Sequence, residues 1–392
     1  MIQRAQRLAA LPPYPFARWG QVVETARQQG RDVIRLDIGD PDLPPPDEVI
    51  EVLCTAAWRP DRHGYPPYRG LATLRQAVAD YYARRFGVTL DPETQVLPLL
   101  GSKEGIVNLA LAVLDPGDLA LVPALGYAPY TLGAALAGAQ VHAFALPAER
   151  GYLPDLDAIS PAVAKRARLL WLNYPNNPTG ATADLGFFAR AVDFARRYGL
   201  LLCHDAPYAD VTYDGYVAPS VLQVDGALDV AIEFHSLSKT ANMAGWRIGM
   251  AVGNVDALSA LAQVKSNIDS GIFTPIQEAA ARALALGPDW IAARNGIYQQ
   301  RRDVICAALE AVGLVAQRPR ATLYVWAPVP RGWQAEEFAR QLVERTGVVV
   351  APGPFFGPGG EGFVRLSVTA PTERVSTAME RLQAFVAGAS SP

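Results

Sequence analysis

Apolar runs of strand length recur along the middle of the chain, at Val96 to Leu100, Leu119 to Val122, Val141 to Phe144, Leu169 to Asn173, Leu200 to His204, Val230 to Phe234 and Ile248 to Val252. Between most of them the apolar positions change to helical spacing, as in Phe187, Phe188, Ala191, Val192 and Ala195, which share one helix face. Uninterrupted apolar runs alternating with amphipathic helices predict an α/β fold, a mostly parallel sheet sandwiched by helices. The two ends read differently. Trp19, Val22, Val23 and Ala26 form an amphipathic helix closed by Gly30, and a long helix runs from about Asp289 to Ala311, stopped by Gly313. After it come Ala321 to Ala327, a helix from about Glu336, Val348 to Ala351, Phe363 to Thr369, and a last helix from about Thr372 that stops near Gly388. That pattern predicts a smaller α+β module assembled from both termini.

Length supports the division. A chain of 392 residues exceeds the size at which one core keeps growing, so two domains are expected. Half of the residues are hydrophobic, and the net charge of -3 leaves no basic footprint for nucleic acid or an anionic membrane. Cys54, Cys203 and Cys306 are scattered and odd in number, which fits a reducing, cytoplasmic setting and excludes a disulfide framework or a zinc knuckle; no metal site is expected. The start of the chain has Arg4 and Arg7 but only the short apolar stretch Leu8 to Leu11 before Pro12-Pro13, which does not read as a signal peptide. The uncharged segment from Leu119 to Val141 is interrupted by Pro123, Pro129 and several glycines, and reads as buried core, not as a membrane span.

Three of the apolar runs lead at their carboxyl ends into polar groups: Asn177 in Tyr174-Pro175-Asn176-Asn177-Pro178-Thr179-Gly180, Asp205 before Ala206-Pro207-Tyr208, and Lys239 in Ser236-Leu237-Ser238-Lys239-Thr240. In an open parallel sheet, ligands bind at that edge, so three groups distant in sequence are expected to share one crevice. A lysine there loses hydration, its ammonium pKa falls, and the neutral amine can condense with an aldehyde. The usual aldehyde is pyridoxal phosphate, which also needs a carboxylate at its ring nitrogen and donors for its phosphate. Gly101-Ser102-Lys103-Glu104-Gly105 follows a strand and opens a helix, where free N–H groups can meet an anion or Ser102 can simply cap. Arg365 is a charged residue inside the apolar run Phe363-Val364-Arg365-Leu366-Ser367, and burial requires an anionic partner for it, either an internal Asp or Glu or a ligand.

In order and spacing these residues resemble the class I/II, fold type I aminotransferases that depend on pyridoxal phosphate, over nearly the whole chain from about Ile38. The resemblance implies a large cofactor domain over residues 45–287 and a small substrate-closing domain from 1–44 and 288–392. It implies that Lys239, Asp205 and Tyr208 are catalytic, with Tyr208 and Asn177 at the ring hydroxyl. It places the phosphate on Ser102, Lys103, Ser236, Ser238 and Arg247, and Tyr127 against the ring, although Leu125 and Ala128 depart from the usual Pro-Gly-Tyr-Pro. Tyr65 matches a tyrosine that reaches the phosphate of a neighbouring subunit, which implies a homodimer with shared sites. Arg365, with Gly39 and Asn177, matches the grip on the substrate α-carboxylate.

The implied reaction moves an amino group between an amino acid and a 2-oxo acid with ping-pong kinetics. The stretches around Glu104, Tyr208 and Lys239 look most like bacterial LL-diaminopimelate aminotransferases of lysine biosynthesis, with Ala241 departing from the usual aromatic; Glu104 is a candidate for the distal substrate ammonium. N-Succinyldiaminopimelate, aspartate or alanine as donor stay open, as does β-elimination with the same cofactor. Ser236-Leu237-Ser238-Lys239 satisfies the S-x-x-K of serine acyl transferases, but S-D-N and K-T-G are missing. Gly357, Gly359 and Gly362 satisfy G-x-G-x-x-G, yet a strand follows them instead of a helix.

Overall fold

A computed structural model describes residues Ile2, Ala5, Leu11 and 15–388; the stretch with Arg4, Arg7 and Pro12-Pro13 lies outside them. In chain order the strands are β1 (Ile34–Arg35), β2 (Val96–Leu99), β3 (Leu119–Pro123), β4 (Gln140–Phe144), β5 (Ala167–Asn173), β6 (Leu201–Asp205), β7 (Ala231–Ser236), β8 (Gly249–Gly253), β9 (Tyr324–Pro328), β10 (Val348–Val349), β11 (Ala351–Pro352) and β12 (Phe363–Ser367). Strands β2 to β8 form one seven-stranded sheet in the order β2-β8-β7-β6-β5-β3-β4. Only β8 runs antiparallel to its neighbours β2 and β7; β7, β6, β5, β3 and β4 are parallel. All seven expected apolar runs are strands of this sheet, with ends displaced by two residues at most.

Alternation along these strands feeds two separate cores. Leu97, Leu99, Ala120, Val122, Leu169, Trp171 and Phe234 point to one face, covered by the helices Ser102–Val113, Pro129–Leu136 and Val255–Ile268. Val96, Leu119, Leu121, Leu170, Leu172 and Leu202 point to the other, covered by Ala72–Phe86, Leu185–Tyr198 and Thr274–Leu284. Burial on both faces is why the strands read as continuous apolar runs. The helix Leu185–Tyr198 buries the five residues its spacing singles out; Asp184 caps it by accepting from Phe187 N at 2.7 Å, and left-handed Gly199 ends it.

One polar cluster crosses the second face. Glu233, 1% exposed in the middle of β7, accepts hydrogen bonds from Tyr82 Oη at 2.8 Å, Ser220 Oγ at 2.9 Å and Val221 N at 3.1 Å. His204 on β6 lies 2.8 Å from the same carboxylate through Nδ1 and 2.9 Å from the Tyr174 carbonyl through Nε2. Burial pushes the Glu233 carboxyl up, but His204, Tyr82 and Ser220 outweigh it and hold it below the usual range. The cluster ties β6 and β7 to the loop after β5, the three strands whose ends carry the candidate chemistry.

Both ends of the chain build a third core. The helix Pro15–Gln28, the long helix Pro288–Ala311, and the helices Ala335–Thr346 and Thr372–Gly388 pack on the antiparallel sheet β11-β12-β9 and the parallel pair β1-β10. Two expected strands change here. Ala321 to Ala327 becomes β9 from Tyr324, because Thr322 takes a left-handed backbone with φ 76°, which breaks the extended run. Val348 to Ala351 divides at Val350, since Val348–Val349 pairs with β1 while Ala351–Pro352 pairs with β12.

Removing one partner from a buried ionic cluster leaves the rest unpaired. Glu233→Gln is expected to lower the unfolding free energy by about 3 to 5 kcal/mol in urea titrations. Arg340→Ala, at a half-exposed helical pairing with Glu337 and Glu344, is expected to cost under about 1 kcal/mol.

Candidate active site

Three strand ends lie side by side, because the register pairs Asn173 with Asp205 across β5 and β6, and Asp205 with Phe234 across β6 and β7. A cavity of about 500 Å³ opens beyond them. Its walls come from the large sheet, through Ser102, Asn177, Asp205, Lys239 and Arg247, and from the terminal core, through Phe16, Gly39, Tyr324, Phe355 and Arg365. Twelve of the fourteen candidate residues line it: Gly39, Ser102, Lys103, Tyr127, Asn177, Asp205, Tyr208, Ser236, Ser238, Lys239, Arg247 and Arg365.

Asp205 forms the floor. Its Oδ2 accepts from Tyr130 Oη at 2.7 Å, and Tyr130 stacks on Trp171 with centroids 4.9 Å apart. Its Oδ1 is buried with no hydrogen-bond partner. Burial raises the carboxyl to about 6, against the lowering effect of the Tyr130 bond. A buried carboxylate oxygen without a donor calls for a cation from outside the chain.

Lys239 sits in a one-turn helix, Leu237–Thr240, directly after β7. Ser236 caps this turn, its Oγ accepting from Ser238 N at 3.3 Å. The Lys239 ammonium donates to the Gly39 carbonyl and faces the cavity, but protein surrounds its side chain so closely that desolvation lowers its pKa. That is the direction a neutral amine at this position requires.

At one end of the cavity the helix Ser102–Val113 begins, with Gly101 as N-cap at φ 81° and no side chain capping the first N–H groups. A Cβ on Gly101 would stand 2.2 Å from Arg247 Nη2, so the missing side chain lets the guanidinium close over the helix start. Burial, and then the nearby Arg247, lower the Lys103 ammonium. Two cations beside an uncapped helix start form an anion cradle.

At the other end, Arg365 donates to Asn177 Oδ1 at 2.7 Å and to the Asp37 carbonyl at 2.6 Å, while its Nε is buried without a partner. Among the described residues it forms no ion pair; the Asp37 carboxylate is taken by Arg35 at 2.9 and 2.6 Å. The internal Asp or Glu that could have neutralised Arg365 is absent from these contacts, which leaves the guanidinium to an anion entering the cavity.

Two candidates lie elsewhere. Tyr65 is 90% exposed and lines a separate surface hollow with Pro66, Pro67, Tyr68 and Ser270. Glu104 faces away from the cavity: its carboxylate accepts from Leu100 N at 2.9 Å, Asn108 Nδ2 at 2.6 Å and Lys265 Nζ at 3.3 Å. Those bonds tie the helix start to its neighbour, and Glu104 is not among the residues that line this cavity. Several lining residues went unselected in the sequence. Asn173 closes a visible strand and Tyr324 alternates along another, but nothing local marks Phe16 or Phe355, which arrive from other parts of the fold.

Residues 31–382 match the family described as aminotransferase class I and II. The chain belongs to this family. It is 50% identical over 382 residues to an LL-diaminopimelate aminotransferase from Moorella thermoacetica, with 97% of this chain and 98% of that one covered. A second such enzyme, from Desulforudis audaxviator, is 51% identical over 379 residues, covering 97% of each. Among solved structures, substrate-bound BacF from Bacillus subtilis superposes with a TM-score of 0.94 at 38% identity, covering 98% of both chains. A Thermus thermophilus aspartate aminotransferase mutant gives 0.91 at 29% identity, covering 98% of this chain and 100% of that one. The protein is a transaminase that depends on pyridoxal phosphate. The cavity's donor set fits that group: an amine on Lys239, an orphaned carboxylate oxygen on Asp205, and the anion cradle around Gly101. Among the described residues no helix is long and apolar enough to cross a membrane.

The raised Asp205 carboxyl has a consequence for stability. In protein stripped of cofactor, the folded chain keeps this proton between about pH 4 and about 6 after the unfolded chain has released it, so stability falls as pH rises through that window. Asp205→Asn in the stripped protein is expected to be more stable than the wild type at pH 8, by on the order of 2 to 3 kcal/mol, with the gain shrinking toward pH 4.5. Denaturation curves at the two pH values check this; an equal difference at both would contradict it.

Proposed function

We propose that the protein transfers an amino group between LL-diaminopimelate and 2-oxoglutarate, a step of lysine biosynthesis in the cytoplasm. The observation that carries this reading is the identity of about half of all positions to enzymes of that name over nearly their full length. The cavity agrees with it in kind: Arg365, Lys103 and Arg247 all line it, as a substrate and cofactor rich in carboxylate and phosphate require.

Bound pyridoxal phosphate supplies an aldehyde that captures the amino group and a protonated ring that draws electrons from the α-carbon. The chain's own groups do the rest. Asp205 gives its unpaired Oδ1 to the ring nitrogen, and that cation in turn holds the carboxyl ionised against its burial. The uncapped helix start, Ser102, Lys103, Ser236, Ser238 and Arg247 hold the phosphate. Tyr127, Tyr208 and Asn177 line the same cavity, where Tyr127 would cover the ring and Tyr208 and Asn177 would hydrogen-bond its hydroxyl. Arg365, held by Asn177 Oδ1 and the Asp37 carbonyl, takes the substrate α-carboxylate through two parallel bonds, with Gly39 and Asn177 completing the carboxylate site. Lys239, with its lowered pKa, takes the proton from the α-carbon as a base and returns it as an acid. The same groups serve twice, releasing a 2-oxo acid in the first half-reaction and an amino acid in the second.

In this reading residues 45–287 form the cofactor domain, while 1–44 and 288–392 form a domain that closes on the substrate. Support comes from the separate core built by the two ends, with Arg365 on that side and Lys239 on the other. Two copies associate, and Tyr65 of each reaches the phosphate of the other. The exposure of Tyr65, Tyr68, Ile268 and Phe273 in one region supports such a contact.

Given a panel of amino donors and 2-oxoglutarate, the enzyme is expected to form glutamate fastest with diaminopimelate. A faster aspartate, alanine or N-succinyldiaminopimelate reaction would reassign the substrate, and pyruvate with ammonia from a β-substituted donor would favour elimination. Borohydride reduction is expected to fix the cofactor to the wild type but not to Lys239→Ala. Arg365→Ala is expected to raise KM for the amino donor about 100-fold or more, since a buried charge pair is lost.

A further inference from the structure

Tyr324 enters the cavity from β9 with its ring and its hydroxyl in different company. The hydroxyl lies 3.0 Å from that of Tyr208 and fills the space left by Gly39, where a Cβ would stand 2.0 Å from it. The ring lies 3.9 Å from the Arg365 guanidinium, which continues to Asn177 Oδ1 at 2.7 Å. Charged and titratable groups facing Tyr324 are Arg365, Lys239, Tyr208 and Asp40. Burial pushes the phenol up, but Arg365 first, then Lys239 while its amine is free and charged, and the Tyr208 bond outweigh it and hold it below its ordinary value. The Tyr208 phenol is pushed up instead, first by burial and then by Tyr324, against the lowering effect of Arg365. Either hydroxyl can donate in that 3.0 Å contact, and the Arg365 guanidinium over the Tyr324 ring favours Tyr324 as the donor. With its oxygen occupied by the Tyr324 proton, Tyr208 has its own proton free to point into the cavity.

We propose that Tyr324 is a positioning residue with two separable parts: its hydroxyl donates to Tyr208 and aims the Tyr208 proton at the cofactor ring hydroxyl, while its ring holds Arg365 in line for the substrate carboxylate. This rests on the reading of Tyr208 and Arg365 given above. It assigns to a residue of the terminal core a hold on both ends of the reaction, since β9 carries Tyr324 while Tyr208 follows β6.

The test is a pH titration of the bound cofactor's absorbance in the holoenzyme, together with KM for the amino donor. A donor to the ring oxygen favours the form from which the neighbouring proton has left, so Tyr208→Phe is expected to raise the midpoint. Tyr324→Phe should raise it less, by about half a unit, and should add nothing in the Tyr208→Phe background. Because phenylalanine keeps the ring, KM should stay within about twofold. Tyr324→Leu should show the same midpoint and a KM higher by about five- to thirty-fold. A wild-type midpoint in Tyr324→Phe, with Tyr208→Phe shifted, overturns the hydroxyl's part and leaves the reading of Tyr208 standing. An unshifted Tyr208→Phe removes that reading and the proposal with it. Additive shifts in the double variant also overturn it, as does a Tyr324→Leu KM equal to that of Tyr324→Phe for the ring.

Discussion

The parallel register of β5, β6 and β7 is the constraint on which the site depends. Because Asn173, Asp205 and Phe234 are paired neighbours, the chain leaves all three strands at one edge, and each exit delivers a polar group into the same crevice. A slip of one residue along β6 would send Asp205 to the face now held by His204 and bring His204 under Tyr130. The Glu233 cluster opposes such a slip, since His204, Tyr82, Ser220 and Val221 meet one buried carboxylate from separate segments. A buried ionic cluster of this kind is a weak source of stability but a strong source of register, because a displaced strand leaves every member unpaired.

On that frame the cavity is built from incomplete electrostatics. Among the described residues, Asp205 has an oxygen without a donor, Arg365 a nitrogen without an acceptor and no ion pair, and the helix after Gly101 a first turn without a side-chain cap. Each is unfavourable for the protein alone. Together they describe, in negative, a molecule with a cationic ring nitrogen, a phosphate and a carboxylate. Lys239 lies between them with its ammonium disfavoured by burial. Other charges find their partners inside the chain: Arg301 meets Asp42 at 2.7 Å, and Glu104 gathers Lys265, Asn108 and the Leu100 amide.

Much of the fold was legible in one dimension. Strands buried on both faces appear as apolar runs, so β2 to β8 were visible within two residues, and the helix Leu185–Tyr198 announced its buried face through its spacing. The short strands of the terminal core were less visible. Their bounds follow from partners that are distant in sequence: β10 and β11 are divided because each pairs with a different strand, and β9 starts late because Thr322 adopts a left-handed backbone. The candidate residues at strand ends were legible for the same reason as the strands. Tyr324, Phe16 and Phe355 were not, since an aromatic in an apolar run looks the same whether it meets solvent, core or cavity.

By itself, then, the order of residues determined the α/β framework and the family's chemical groups, because those depend on local periodicity and on the carboxyl ends of strands. Whether a charge is paired or left open was decided only in three dimensions. Lys265 claims Glu104, and Arg301 claims Asp42, through contacts that no spacing records. Which carboxylates remain available to a ligand depends on packing between segments tens to hundreds of residues apart, and that is settled when the chain closes.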